Sequence, residues 1–447
     1  MKKYTLFFYL LLFVISSQKI VAQTYFPSAV GTWETQTLAS QNWCQDKVDS
    51  LYKFLERKNT KSFIILKDGK IILEKYFGTF TQDSVWYWAS AGKSLTGALV
   101  GIAQQENLLN INNKASDYLG VGWTTTTLAQ ENAITVKNLL SMTSGLNPLA
   151  AGGDNSCDIP SCFTYLTPAG DRWFYHTAAY KRLQVIVTNA SGVPYQQYTN
   201  TKIKTPIGMS SGAWSDGLFF SRTRDMARFG LLMMNRGTWN GINILNTAYF
   251  DAMTNSSQML NPSYGYLWWL NGKGSFLPPG SPLLINTNLI PAAPADLVAA
   301  LGKNDQKIHV VPSQKLVVIR MGNAAGASSD AITSFDNDLW IKINDLVCNP
   351  ATALDNQTND NTNINIYPNP TNDFIEIEEN KDKIKRINKV RLYDIYGKEI
   401  ALSADQQTTQ NISKIEMKGL SQGIYILQMF DKNAKMMGTR KVFKKDF

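Results

Sequence analysis

The 447-residue chain is 44% hydrophobic and 18% charged, with a formal net charge of +9. That balance excludes a disordered or fibrous protein, and the length suits two domains better than one. The positive charge is scattered, with no basic stripe interleaved with aromatics, which argues against nucleic-acid binding.

In chain order, Met1-Lys2-Lys3 and the apolar run Leu6 to Ile15 read as a signal peptide over residues 1–22, cleaved near Ala22-Gln23. The run is too short to span a bilayer, and no later stretch is long enough, so no transmembrane segment is expected after leader removal. Export permits disulfides. Cys157 and Cys162 flank four residues and could staple a loop. Cys44 falls in the first helix and Cys348 at the end of the last helix of the same domain, a second candidate pair. The chain has two histidines, His176 and His309, and no zinc-ligand spacing, so no metal site is expected.

Residues 42–58 read as a helix. Ser62–Leu66 and Ile71–Tyr76 read as strands joined through Asp68-Gly69, a strong hairpin signal. Then comes Trp86-Tyr87-Trp88-Ala89-Ser90-Ala91-Gly92-Lys93-Ser94-Leu95. Leu95, Ala98, Leu99 and Ile102 recur at helical spacing, so a helix opens at Ser90 and places Lys93 one turn above its hydroxyl. A serine hydroxyl becomes a nucleophile when a base takes its proton. A lysine amine serves if burial and positive potential lower its pKa. Ser-x-x-Lys also occurs at Ser16/Lys19 and Ser50/Lys53, but only Ser90 follows an aromatic cluster and precedes a nearly uncharged helix. The bland alternative is an N-cap serine with a snorkelling lysine.

Residues 110–260 read as mostly helical with long loops. Thr135 can cap a helix over Val136–Met142, and Ser221 one over Thr223–Asn235. Strand character returns at Tyr264–Leu270. Lys307–Val311 and Leu316–Met321 form a second hairpin, and a helix over Asp330–Val347 closes the unit. Strands at both ends around a helical middle imply an α+β domain over 23–348. One antiparallel sheet would be flanked by helices, with an all-helical lobe inserted. Residues 349–365, rich in Asn, Thr and Asp, read as a linker. Residues 366–447 hold short alternating strands and fit a small β-sandwich.

Serine acyl transfer also needs a proton donor for the leaving group and donors for the oxyanion. Tyr175 is the candidate shuttle, with a pKa expected to fall beside the Lys93 ammonium. The Ser90 N–H is one oxyanion donor, and the Lys303 N–H, next to Gly302 in Ala300-Leu301-Gly302-Lys303, is the candidate for the other. With two histidines and no Gly-x-Ser-x-Gly elbow, a Ser-His-Asp enzyme is disfavoured. Trp86, Trp88, Trp173, Tyr180 and Trp268 are candidates for apolar pocket walls.

Trp88-Ala89-Ser90-Ala91-Gly92-Lys93-Ser94, Asn138-Leu139-Leu140-Ser141-Met142-Thr143-Ser144-Gly145-Leu146, Phe174-Tyr175-His176-Thr177, Ser221 to Gly230 and Gly302 to Pro312 follow one another in a familiar order. Together they resemble the serine β-lactamase/penicillin-binding-protein superfamily. The likeness is to its class C-related branch, which includes esterases, D-amino-acid peptidases and 6-aminohexanoate-dimer hydrolase. The resemblance spans about residues 40–347. It implies Ser90 as nucleophile, Lys93 as base and Tyr175 as proton shuttle, with no cofactor. Thr177 stands where the branch often has Asn, and Ala300-Leu301-Gly302 stands where β-lactamases carry Lys-Thr/Ser-Gly. A buried substrate carboxylate would lack its cation there. The implied function is therefore hydrolysis of a small-molecule ester or amide. A β-lactamase or D-alanyl-D-alanine carboxypeptidase is the alternative, and a non-catalytic cell-surface binding protein the alternative of another class.

In the tail, Ile366-Tyr367-Pro368-Asn369-Pro370-Thr371, Leu392 to Lys398 and Leu420-Ser421-Gln422-Gly423-Ile424-Tyr425 resemble the type A sorting domain of the Bacteroidetes type IX secretion system. That implies the type IX machinery as partner and a secreted or outer-surface location, reached through the periplasm.

Overall fold

The computed structural model describes residues 24–150, 152–153, 155–348, 364–379, 387–394, 398–402 and 414–445. The chain divides into two compact units at Val347/Cys348. The expected signal peptide lies outside the described residues, as does the expected linker up to residue 363.

The first hairpin forms where its sequence signals it, with strands Thr60–Lys67 and Lys70–Tyr76. Asp68 and Gly69 turn the chain with φ of 51° and 83°. This two-residue turn matches the twist of the flanking strands. Gly69 has a second reason to lack a side chain, since a Cβ there would lie 1.8 Å from the Tyr25 carbonyl oxygen.

The hairpin joins the late strands in one six-stranded antiparallel sheet. Its order is Lys70–Tyr76, Thr60–Lys67, Leu316–Gly322, Gln306–Val311, Val298–Gly302, Trp269–Leu270. Ile64 sits opposite Ile319, so the two ends of the domain are stitched at the sheet centre. The strand Val298–Gly302 was not anticipated. All five of its residues are buried, and a strand covered on both faces shows no alternation to read. Conversely, Tyr264–Leu270 gives only a two-residue strand, because Leu267 takes a φ of 62° and curls the segment.

Helices cover both faces. Arg320 and Ile319 are neighbours in one strand and so point to opposite sides. Arg320 lies 4.8 Å over the Phe335 ring, on the side of helices Gln45–Arg57 and Ser334–Asn344. Those helices meet through Phe54 stacked on Phe335 at 5.8 Å. Ile319 faces the helix Thr223–Met234 around Gly230. The inserted segment is helical, led by Gly92–Gln105 and Thr177–Ser191. It also holds a small sheet in which Leu218–Arg222 pairs with Val85–Tyr87 and Ala213–Ser215.

Caps differ in part from expectation. Thr135 caps Val136–Leu140 through a reciprocal box with Asn138. That helix stops short of Met142, which has a φ of 60°. Ser221 caps nothing. It sits inside the strand Leu218–Arg222, and its hydroxyl accepts from Trp88 Nε1 at 2.8 Å. The closing helix is Ser334–Asn344, capped by Thr333. Cys157 and Cys162 are bonded, Cys44 and Cys348 are each in a disulfide, and no described cysteine is free.

The second unit has two antiparallel sheets. One orders Ile364–Tyr367, Phe374–Glu379 and Lys414–Glu416; the other orders Glu399–Ile400, Lys389–Asp394, Gly423–Phe430 and Met436–Lys444. Ile375 and Ile415 of the first share a core with Leu392, Leu427 and Val442 of the second, as a sandwich requires.

Candidate active site

Three elements converge on Ser90. The first is a tight turn, Ala89–Ala91, that leads into the helix Gly92–Gln105. Ala89 is left-handed, with a φ of 50°. A side chain with a Cβ is strained there and is held only by what surrounds it. Trp88 supplies the hold. Its N–H donates to the Phe219 carbonyl at 2.8 Å, and its ring is fully buried edge-on to Phe219. The helix therefore starts two residues after Ser90 rather than at it, and Ser90 remains partly exposed.

Lys93 lies on the first turn, with Nζ 3.0 Å from Ser90 Oγ. It is 4% exposed. Its Nζ lies 4.6 Å and 5.0 Å from the Tyr180 and Tyr175 ring centroids, and no described carboxylate pairs with it. Burial pulls its pKa down to about 7, and the Lys181 ammonium adds to the shift. Half of such a lysine is a neutral amine near neutral pH, the form that accepts a proton.

The second element is the loop ahead of helix Thr177–Ser191. It delivers Tyr175, whose hydroxyl lies close enough to Ser90 for the serine to weigh on its pKa. The ring is stacked on Trp269 at 6.1 Å and lies edge-on to Tyr264 at 6.3 Å. Sequence reasoning expected the Tyr175 pKa to fall. It rises instead, because burial disfavours the phenolate more than the neighbouring Ser90 hydroxyl favours it. Tyr175 is thus a neutral phenol that can take and give a proton in one relay. Thr177 opens the helix half-buried, and Trp173 is buried edge-on to Tyr264 at 5.3 Å.

The third element is the end of the strand Val298–Gly302. A Cβ on Gly302 would fall 2.3 Å from the Trp88 carbonyl oxygen and 3.0 Å from the Ala91 nitrogen. Glycine is required there, and its absent side chain lets the strand end lie against the Ser90 turn. The Lys303 side chain is exposed, so what this residue offers the site is its backbone. Ala300 is fully buried and brings no cation.

The remaining aromatic candidates divide. All but Trp86 are buried in the core, and of these Tyr180, 4.6 Å from Lys93 Nζ, and Trp173, 6.5 Å from the Tyr175 ring, adjoin the site. Trp86 stands apart, with Lys61 4.5 Å over its ring. Neither histidine serves the serine. His176 is buried, with its pKa pushed down to about 4 by that burial, and His309 accepts from Trp340 Nε1 at 3.0 Å in the core behind the sheet.

One residue was missed. Asn155 donates from Nδ2 to the Tyr175 carbonyl at 2.9 Å and accepts the Thr177 N–H at Oδ1 at 2.6 Å. Its own carbonyl accepts the Ala178 N–H at 2.9 Å. It clamps both sides of Tyr175 from a loop some twenty residues earlier. Local sequence carries no signal for such a contact.

The family model described as Beta-lactamase matches residues 55–339, and that of the secretion system C-terminal sorting domain matches residues 365–445. An uncharacterized protein of Alkalihalophilus pseudofirmus is 21% identical over 315 residues, covering 60% of this chain and 84% of its own length. The structure of the "Putative 6-aminohexanoate-dimer hydrolase from Bacillus anthracis" aligns with a TM-score of 0.55 at 19% identity, over 72% of this chain and 89% of that one. A penicillin binding protein from Bacillus halodurans aligns with a TM-score of 0.50 at 16% identity, over 66% and 99%. At these identities the structural likeness is one of fold.

Proposed function

The chain belongs to the beta-lactamase family and ends in a secretion-system sorting domain, and from that premise we propose that it is a secreted serine hydrolase cleaving a small-molecule ester or amide. The neutral Lys93 amine takes the Ser90 proton as Oγ attacks the substrate carbonyl. The N–H groups of Ser90 and Lys303 hold the oxyanion. Tyr175 relays the proton from Lys93 to the leaving alcohol or amine as the carbonyl–heteroatom bond breaks. Water then attacks the acyl-enzyme by the reverse relay and frees the acid. The aromatic walls Trp173, Tyr175 and Tyr180, without a cation at Ala300, suit an uncharged acyl group better than a carboxylate-bearing β-lactam. Residues 1–22 would direct the chain to the periplasm. The tail would then carry it through the type IX machinery to the cell surface or beyond.

The observation that carries this reading is the 3.0 Å approach of Lys93 Nζ to Ser90 Oγ, with the amine pulled down to about 7. A surface lysine beside an N-cap serine would have neither the burial nor the shift. Intact-mass labelling with a fluorophosphonate tests it, with wild type set against Ser90→Ala. One adduct on wild type and none on the variant is expected. Well-folded wild type that takes no adduct overturns the reading in favour of a binding role.

A further inference from the structure

The turn that carries Lys303 is held from behind by buried side chains outside the chemistry described above. Asn304 and Asp305 both have positive φ, 59° and 58°. With Lys303 they form the three-residue loop that joins the strand Val298–Gly302 to Gln306–Val311. Left-handed positions in such short hairpin loops are commonly glycine. An aspartate there stays left-handed only if its surroundings impose it.

The surroundings do so at every carbonyl. Gln306 is fully buried, and its Nε2 donates to the carbonyl oxygens of Lys303 at 3.3 Å, Asn304 at 2.9 Å and Gly322 at 2.6 Å. Its Oε1 accepts the Gly322 N–H at 3.0 Å. Arg320, equally buried, donates from Nη1 to the carbonyls of Asn304 at 3.2 Å and Asp305 at 2.8 Å. The Asp305 carboxylate accepts from Thr333 Oγ1 and the Ala325 N–H, and lies 3.2 Å from Lys307 Nζ. On the outer side, Asn304 Nδ2 donates to the Tyr87 hydroxyl at 2.6 Å. Turns at a domain surface ordinarily leave their carbonyls to water. Three successive carbonyls taken by buried amide and guanidinium donors mark a turn whose peptide planes are set.

We propose that Gln306 is a positioning residue for the oxyanion: with Arg320 it locks the Lys303–Asp305 turn so that the Lys303 N–H already points at the site where the substrate oxygen gains charge. This rests on the reading of Ser90 as nucleophile and of Lys303 as backbone donor. An oxyanion donor contributes because it needs no reorganisation as charge develops. The Lys303 N–H belongs to the Gly302–Lys303 peptide, so the hold reaches it through the Lys303 backbone: loss of the Gln306 amide frees the two peptide planes that follow, and Lys303 with them, to rotate. The cost then falls on the transition state rather than on substrate binding.

The test uses the full chain, p-nitrophenyl acetate as substrate, and rates expressed per fluorophosphonate-titrated Ser90 so that unfolded protein is discounted. Gln306→Ala should lower kcat by about a hundredfold, the effect of a misplacement near 1 Å. KM should stay within about twofold, and the pH limb near 7 set by Lys93 should not move. Tyr87→Phe removes the outer anchor without disturbing the core. It should give the same signature at about a tenfold loss, and it decides the matter if Gln306→Ala does not fold. An active wild type with kcat unchanged in the folded variants overturns this inference alone. So does a variant in which kcat, KM and the pH limb move together, since that is general loosening. A wild type that neither labels nor turns over overturns the Ser90 reading and this inference with it.

Discussion

Two lysines of the beta-lactamase-family unit are buried to nearly the same degree and are set in opposite surroundings. Lys93 is 4% exposed and faces two tyrosine rings and a serine hydroxyl. Lys307 is fully buried behind the sheet, 2.7 Å from Asp336 Oδ2 and 3.2 Å from Asp305 Oδ1, with the Ala331 carbonyl at 2.7 Å. The first has lost water and gained no counter-charge, so its proton is loosely held. The second has two carboxylates and a carbonyl in place of water. Asp336 shows the other side of that bargain: burial pushes its carboxyl up, yet Lys307 and His309 together hold it below its ordinary value. Burial alone therefore makes neither a base nor a strut, and the nearest carboxylate decides.

The sharpest way to break the comparison is to make the same substitution at both sites. Lys93→Met should lower ester hydrolysis by about 10⁴-fold or more, the scale seen when a nucleophile–base unit is dismantled. It should also raise the thermal midpoint, because a buried unpaired amine is replaced by a thioether of similar length. Lys307→Met should do the reverse to the fold. It takes from Asp305 and Asp336 the ammonium that ion-pairs with both and should cost about 3–5 kcal/mol. Thermal melts and titrated kcat on both variants check this; a stabilised Lys307→Met would refute the strut.

A pH series sharpens the same contrast. With Lys93 as the proposed base, activity should need its neutral amine, so kcat/KM should rise about tenfold per pH unit below 7 and level off above it. Tyr175, pushed up by burial, should impose no falling limb below about pH 10. The linked stability has a definite sign. The native Lys93 sheds its proton near 7 and the unfolded one near 10.5. Between those values the unfolded state binds more protons, so stability rises with pH. The advantage of Lys93→Met should accordingly be greatest below pH 7 and fade toward 10.5. A flat difference between the two melting curves across that range would show that Lys93 is not desolvated in the native protein.

Much of this site was legible because it is written in local pattern. Ser90 and Lys93 stand three apart at the head of an apolar helix, and Asp68-Gly69 announces its hairpin. The strand Val298–Gly302 was not legible, since five buried residues in a row give no period. The direction of the Tyr175 shift was misread for a related reason. Charge proximity can be guessed from a motif, but the Trp269 and Tyr264 rings that bury the phenol come from a segment some ninety residues on. Ser221 misled in the same way: a serine two residues ahead of a helix resembles a cap until Trp88, over a hundred residues earlier, claims its oxygen.

Asn155 offers the mildest test, and it separates what sets a proton from what aims one. The Asn155 side chain touches neither Ser90 nor Lys93 among its described bonds; it holds the Tyr175 carbonyl and the Thr177 N–H. If the Lys93 environment is set by burial, Asn155→Ala should leave the pH limb near 7. If Tyr175 works as an aimed relay, the same change should still slow turnover by about tenfold. The loss should be larger for an amide than for a p-nitrophenyl ester. A poor leaving amine needs its proton delivered as the bond breaks, whereas p-nitrophenolate departs without one. Asn155→Asp keeps the acceptor for Thr177 and should recover part of the rate. An equal loss on both substrates would mean that Asn155 supports the loop and not the aim of the phenol.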